Sequence, residues 1–176
     1  MIEYRTLELP QLEEGMLSSF DRRQEVRECW RRIAGAWTLV PQPFTEDWTS
    51  EDKAKVVEYL RETRKKGGAV IAARENGQLV GFASVERALF GSRNQYAHLT
   101  SIHVSRDHRG MGVGRGMFHL AMDIARGFGA KKMYMSTHSS KETQAFYQAM
   151  GCVDAEEQNA HAVEREPFDR QLEVQL

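Results

Sequence analysis

One stretch constrains this chain more than any other: His108-Arg109-Gly110-Met111-Gly112-Val113-Gly114-Arg115-Gly116, set between a segment of strand-like alternation, Tyr96 to Val104, and one of helical period. In the second segment Met117, Leu120, Ala121, Ile124 and Phe128 recur at helical steps, and Gly129 ends it. A glycine-rich turn from strand to helix places backbone N–H groups and the positive end of the helix dipole where they can hold a phosphate. The same glycines also suit a tight turn that needs positive φ. Two other phosphate-binding patterns are excluded. A Walker loop needs Gly-Lys followed by Ser or Thr, and the chain has no Gly-Lys pair. The dinucleotide pattern G-x-G-x-x-G fails at Arg115 counted from Gly110 and at Met117 counted from Gly112.

The surrounding pattern predicts an α+β fold, helices flanking a mixed and mostly antiparallel sheet in an α/β/α arrangement. Ile2 to Leu9 reads as a first strand ended by Pro10. Ser18 and Ser19 could cap a helix from about Phe20 to Ala36, where Val26, Cys29, Trp30 and Ile33 recur at helical intervals. Residues 37–48, with two prolines and three large aromatics, read as an ordered loop. Thr49 and Asp52 form a capping-box pattern that opens a helix to about Lys66, stopped by Gly67-Gly68. Ala69 to Arg74 and Leu79 to Glu86 then make a hairpin about Asn76-Gly77. Beyond the loop helix, Lys132 to Thr137 is a strand, Lys141 to Met150 a short helix, and Cys152 to Glu157 and Gln171 to Leu176 two further strands.

At 176 residues, this is the size of one domain with one main core. No apolar run is long enough to span a bilayer and Met1 to Pro10 is no signal-type segment, so a cytoplasmic protein without a membrane partner is expected. Cys29 and Cys152 have no Cys-x-x-Cys partner and read as reduced thiols rather than zinc ligands. The net charge of −1 gives no reason to expect nucleic acid. Its distribution is uneven: residues 67–150 hold 10 Lys and Arg against 5 Asp and Glu, whereas residues 151–176 hold 2 against 7. A basic middle segment is a solvated surface or faces a compact anion, and the glycine-rich loop favours the anion.

Arg109-x-x-Gly112-x-Gly114 resembles the (Gln/Arg)-x-x-Gly-x-(Gly/Ala) pyrophosphate loop of the GNAT superfamily of acyl-coenzyme A N-acyltransferases. The resemblance spans residues 69–152, from the hairpin through the strand ending Ile102-x-Val104 to Ala145-Phe146-Tyr147 and Gly151. Residues 10–66 match only as two helices and a loop, the part that varies with the acceptor. One departure is Ser140, where the family often has Asn seven positions before the tyrosine.

The resemblance implies a single GNAT-like domain over residues 1–176, acting as an N-acetyltransferase with acetyl-CoA as cosubstrate and no metal. Ile102, His103 and Val104 at the strand end would meet the coenzyme, with a backbone N–H near Ile102 and His103 stabilising the oxyanion. So would the loop from Arg109 and Gly110 through Met111, Gly112 and Val113 to Gly114 and Arg115. Ser140 and Tyr147 would complete the contacts, Tyr147 at the sulfur. The acceptor is expected to be a small-molecule primary amine, with a protein amine or a non-catalytic CoA-binding sensor as alternatives, and a homodimer is possible by the same resemblance.

Amine acylation needs a neutral nucleophile, a stabilised carbonyl oxygen and help for the departing thiolate. His98, eleven positions before Arg109, is the first candidate for the base and Glu86, acting through water, the second; a hydrogen-bonded sheet histidine is the plain alternative. His103, an odd number of positions from His98, should point to the opposite face, which argues against a shared metal site. His119 and His138 read as surface residues or local caps. Phe20, Trp30, Trp37, Phe44 and Trp48, with Asp21, Glu25 and Asp47, could line a cleft for a small cationic amine.

Overall fold

The computed structural model describes residues 1–176. Its centre is a seven-stranded mixed sheet. The strands are β1 (Ile2–Thr6), β4 (Ala69–Glu75), β5 (Gln78–Val85), β6 (Tyr96–Val104), β7 (Lys132–Thr137), β8 (Val153–Asp154) and β9 (Arg170–Gln175), in the order β1-β4-β5-β6-β7-β9-β8. All pairings are antiparallel except β6 with β7. The helices are α1 (Ser50–Lys65), α2 (Val113–Gly127), α3 (Lys141–Ala149) and the short α4 (Ala160–Arg165). None is long and apolar enough to cross a membrane.

Each face of the sheet has its own core. Val113, Met117, Phe118, Ala121 and Ala125 of α2 pack with Ile71, Ala83, Val85, Ala97 and Met133 on one face. Val57 and Leu60 of α1 pack with Phe20, Val70, Ala72, Leu79 and Phe82 on the other. Burying a side chain such as Phe118 or Leu60 contributes about 1.5–3 kcal/mol.

The capping box that starts α1 is present in both directions: Asp52 N donates to Thr49 Oγ1 at 3.1 Å and Thr49 N to Asp52 Oδ2 at 2.8 Å. Thr49→Ala leaves an orphan amide at the helix start and is expected to lower stability by about 1 kcal/mol, read as a shift of the urea midpoint with unchanged slope.

The region 20–48 departs from the sequence reading. In place of a helix and a loop, Gln24–Ile33 (β2) and Ala36–Glu46 (β3) form a separate antiparallel hairpin, so residues 10–66 contain one α-helix rather than two. Val26 and Cys29 are both buried although three residues apart: the extra residue of the register shift lies on β3, so β2 alternates regularly and the two are buried on its opposite faces. Burial on both faces of a strand at a three-residue step imitates a helical stripe. Gly35 and Ala34, inside the span read as a helix, form a two-residue turn with both φ positive, at 81° and 49°. Trp37, Thr38, Val40 and Phe44 supply the β-formers of the partner strand, whose Pro41 and Pro43 sit in an edge strand. The first strand also stops at Thr6, before a 3-10 turn over Leu9–Gln11, and α4 had no sequence counterpart.

Candidate active site

The parallel strands β6 and β7 pair only over Tyr96–His98 and Lys132–Tyr134. That closed end is fastened by Glu173, which accepts from the Tyr96 hydroxyl and from Lys132 Nζ at 2.7 Å. Immediately afterwards Thr100 is skipped in the β5–β6 register. A bulged strand bends, and β6 leaves β7 beyond this point. The gap is a cleft of about 710 Å³, bordered by Leu99–Val104 of β6, Ser136 and Thr137 of β7, the glycine-rich loop, and Phe146 and Tyr147 of α3.

The bulge also corrects the face expected for one histidine. Phe82 pairs with His103 and Ser84 with Ser101, but Val85 pairs with Leu99. His98 and His103 therefore lie on the same face, the one covered by α1, despite their odd separation. They remain apart in role. His103 packs on Trp48 and Phe82, with ring centroids 4.9 and 5.3 Å away, and burial together with Arg22 and Arg109 pushes its pKa down to about 3. His98 packs on Tyr134 and Phe90. No three His, Cys, Asp or Glu side chains converge as a metal-binding group.

The loop has an unusual backbone. Gly112 caps α2 with φ 83°, where a side chain would be strained. The amides of Gly110, Met111, Gly112, Val113, Gly114 and Arg115 donate to no carbonyl or side chain of the protein. They form a continuous run at the positive end of a 15-residue helix, and Gly110, Gly112, Gly114 and Arg115 border the cleft. Such a run suits a pyrophosphate. Arg109 also borders the cleft, and its guanidinium is hydrogen-bonded to main chain: its Nε donates to Val104 O at 3.0 Å, and its Nη1 and Nη2 to Arg23 O and Arg22 O at 2.8 and 3.0 Å. Its guanidinium braces the strand end against the root of the β2–β3 hairpin.

Ser105 N donates to Val80 O at 2.8 Å. Counting back along an antiparallel ladder, the His103 amide also faces β5, while those of Ile102 and Val104 face the cleft. Ser140 caps α3, accepting from Thr143 N, and Lys141 and Glu28 pair at 3.0 Å across to the hairpin. Tyr147 is buried against Phe118 and Phe146, yet borders the cleft and its hydroxyl has no partner in the protein. Burial, with the nearby Cys152 and Asp169, raises its phenol pKa, so it is a neutral donor at physiological pH.

Glu86 and His98 stand beside the cleft rather than in its lining, 4.0 Å apart, with Tyr59 donating to Glu86 at 3.2 Å. Burial, then the charge of Arg165, lowers the His98 pKa to about 4. An imidazole that weakly basic holds a proton from an alkylammonium of pKa about 10.4 poorly. The acids expected to form an amine cleft are engaged locally: Asp21 accepts from Arg23 N, Glu25 pairs with Arg23, and Asp47 accepts from Trp48 N. Of the aromatics, Phe20 and Trp48 pack in the core with Phe82, Trp37 lies under Arg170, and Phe44 touches the cleft residue His138. Ser136, Thr100 and Arg22 border the cleft without having been singled out in the sequence. The alternation of β7 places Ser136 on the face of Tyr134 and His98, a signal present in the sequence once that strand is paired.

A strand that parts from its parallel neighbour above a glycine-rich helix start defines an acyltransferase-like architecture, and residues 33–152 match the model of the acetyltransferase (GNAT) family. The chain belongs to that family. It is 32% identical over 90 residues, 49% of its length, to the L-amino acid N-acyltransferase MnaT of Escherichia coli (strain K12). The match spans about half of that relative, 51%. Among solved structures, nourseothricin acetyltransferase superposes with a TM-score of 0.68 at 20% identity, covering 98% of this chain and 95% of the other. The PaiA N-acetyltransferase of Thermoplasma acidophilum, in complex with coenzyme A, does so at 0.63 and 16%, covering 100% and 99%. At these identities the structures share the fold.

Proposed function

We propose that this protein transfers an acetyl group from acetyl-CoA to a primary amine of a small molecule by direct attack. The observation that carries the reading is the run of acceptorless amides from Gly110 to Arg115, opening on the cleft that Tyr147 borders. Acetyl-CoA bound there supplies a thioester carbonyl and a thiolate leaving group. The loop amides would hold its pyrophosphate, and those of Ile102 and Val104 are free to hydrogen-bond groups lying along β6, the carbonyl oxygen among them. Tyr147 donates its hydroxyl proton in a hydrogen bond to the departing sulfur. The family and the amino-acid acylating relative support a small acceptor.

Release of CoA thiol from acetyl-CoA, measured against amino acids, polyamines, aryl-alkylamines and peptides, tests this. Turnover with at least one small amine is expected. Binding of acetyl-CoA with no thiol release for any amine would overturn the reading in favour of a sensor, and release with peptides alone would move the acceptor to proteins.

A further inference from the structure

The acceptor's nitrogen must reach the thioester from the open face of the splay, and one polar assembly there is neither part of the loop nor of the Glu86–His98 pair. Ser136 on β7 borders the cleft. Its hydroxyl donates to Asp169 Oδ2 at 3.1 Å and accepts from Gln171 Nε2 at 3.0 Å. Gln171 is itself fixed, because its Oε1 accepts from the buried Tyr134 hydroxyl, which in turn accepts from Asn159 N at 3.0 Å. A serine oxygen has one proton and two lone pairs. With the proton on Asp169 and one lone pair on Gln171, the second lone pair is left for a donor, and the carboxylate behind it makes that donor preferentially cationic.

Resting on the acyl-transfer reading, we propose that Ser136 and Asp169 form the subsite for the acceptor's primary ammonium group, Ser136 as the contact and Asp169 as the positioning carboxylate. Ser136 borders the same cleft as Tyr147, the residue read as the donor to sulfur, and Asp169 stands behind Ser136. A primary ammonium carries three donors: one can go to Ser136 Oγ while its charge is held by the carboxylate behind, and the nitrogen attacks the thioester carbon only after one of its other protons has passed to water in the open cleft. The groups facing Asp169 are Ser136, His138 in the loop before α3, and Glu166 and Arg165 at the end of α4. Burial first, then Glu166, raises the Asp169 carboxyl pKa above the ordinary carboxylate value, against the Ser136 hydrogen bond, His138 and Arg165. The carboxylate form, and the subsite with it, is lost as pH falls, beginning above the usual carboxylate range.

Two nucleophiles of similar size separate the charge from mere shape: an alkylamine, cationic at pH 7, and an alkoxyamine, largely neutral there. For Asp169→Asn we expect KM for the alkylamine to rise about 10-fold, with a smaller change in kcat, unchanged KM for acetyl-CoA and loss of the Asp169 inflection from kcat/KM, leaving the slope that amine deprotonation alone gives. Ser136→Ala should give part of the same defect. The alkoxyamine should show at most a twofold change in either variant. Equal defects for both nucleophiles, or an unchanged inflection in the acid range in Asp169→Asn, would overturn the subsite. Calorimetric titration of the alkylamine into CoA-saturated protein reads the same site without turnover. If wild type releases no thiol yet binds the alkylamine, and Asp169→Asn abolishes that binding, the transfer reading fails and the subsite stands; no binding at all in wild type overturns the subsite.

Discussion

Tyr147→Phe is expected to lower kcat by about 10- to 10³-fold, the range typical for loss of a general-acid or transition-state hydrogen bond, with acetyl-CoA affinity nearly unchanged. The ring stays buried against Phe118 and Phe146, and the deleted hydroxyl has no partner in the protein, so no buried group is left unpaired. Thermal stability should barely move, and a melting curve checks that. Full proton transfer is not required. Burial raises the phenol pKa, so proton loss to a thiolate of pKa about 8.5 is uphill, whereas donating a strong hydrogen bond is not. The decisive control varies the leaving group: a thioester of a more acidic thiol needs less help, and the defect should shrink with it. A defect equal for both donors, or a fall in stability alone, would make Tyr147 a packing residue.

The second large effect belongs to the loop. A Cβ at Gly114 would lie 3.1 Å from the Phe146 ring and 3.7 Å from Val104 Cγ2, two side chains on opposite walls of the cleft. Valine there narrows the passage beside the free amides while the helical backbone remains allowed. We expect Gly114→Val to weaken acetyl-CoA binding about 10- to 100-fold, the loss of one hydrogen bond to a charged group, about 1.5–3 kcal/mol. Phe146 must yield by a few tenths of an ångström, so the melting temperature should fall modestly with the fold retained. Unchanged affinity by calorimetry in the folded variant would sink the assignment of the loop to pyrophosphate.

The parts of this protein that were legible in its sequence are those whose causes are local. The Thr49–Asp52 box, the Asn76-Gly77 turn and the glycine-rich entry to α2 each depend on residues within a few positions of one another, and each lies where the pattern places it. The β2–β3 hairpin was hidden because Val26 and Cys29, buried on opposite faces of β2, stand at a helical spacing. A bulge at Thr100, within β6 itself, defeated the parity argument for His98 and His103. Ser136 and Asp169 were invisible for a different reason: 33 positions separate them, and only the pairing of β7 with β9 brings them together. The direction of the Ile102 and Val104 amides likewise depends on the β5 register, which no pattern within β6 contains.

Arg109 has a consequence that reaches beyond the cleft. With Val104 O, Arg22 O and Arg23 O as acceptors, its guanidinium is committed to main chain, and so are two further ties of the hairpin to the body, Trp30 N to Ser139 O at 2.7 Å and the bridge between Cys29 and Ser140, beside the side-chain ties of Glu28 to Lys141 and Arg31 to Ser139 Oγ. Bonds to backbone atoms do not depend on which side chains the hairpin carries. The hairpin is thus an exchangeable part. Outward residues other than Glu28, Arg31 and Trp37, which reach the body through their side chains, can be rewritten, by evolution or by design, while the main-chain seat stays in place.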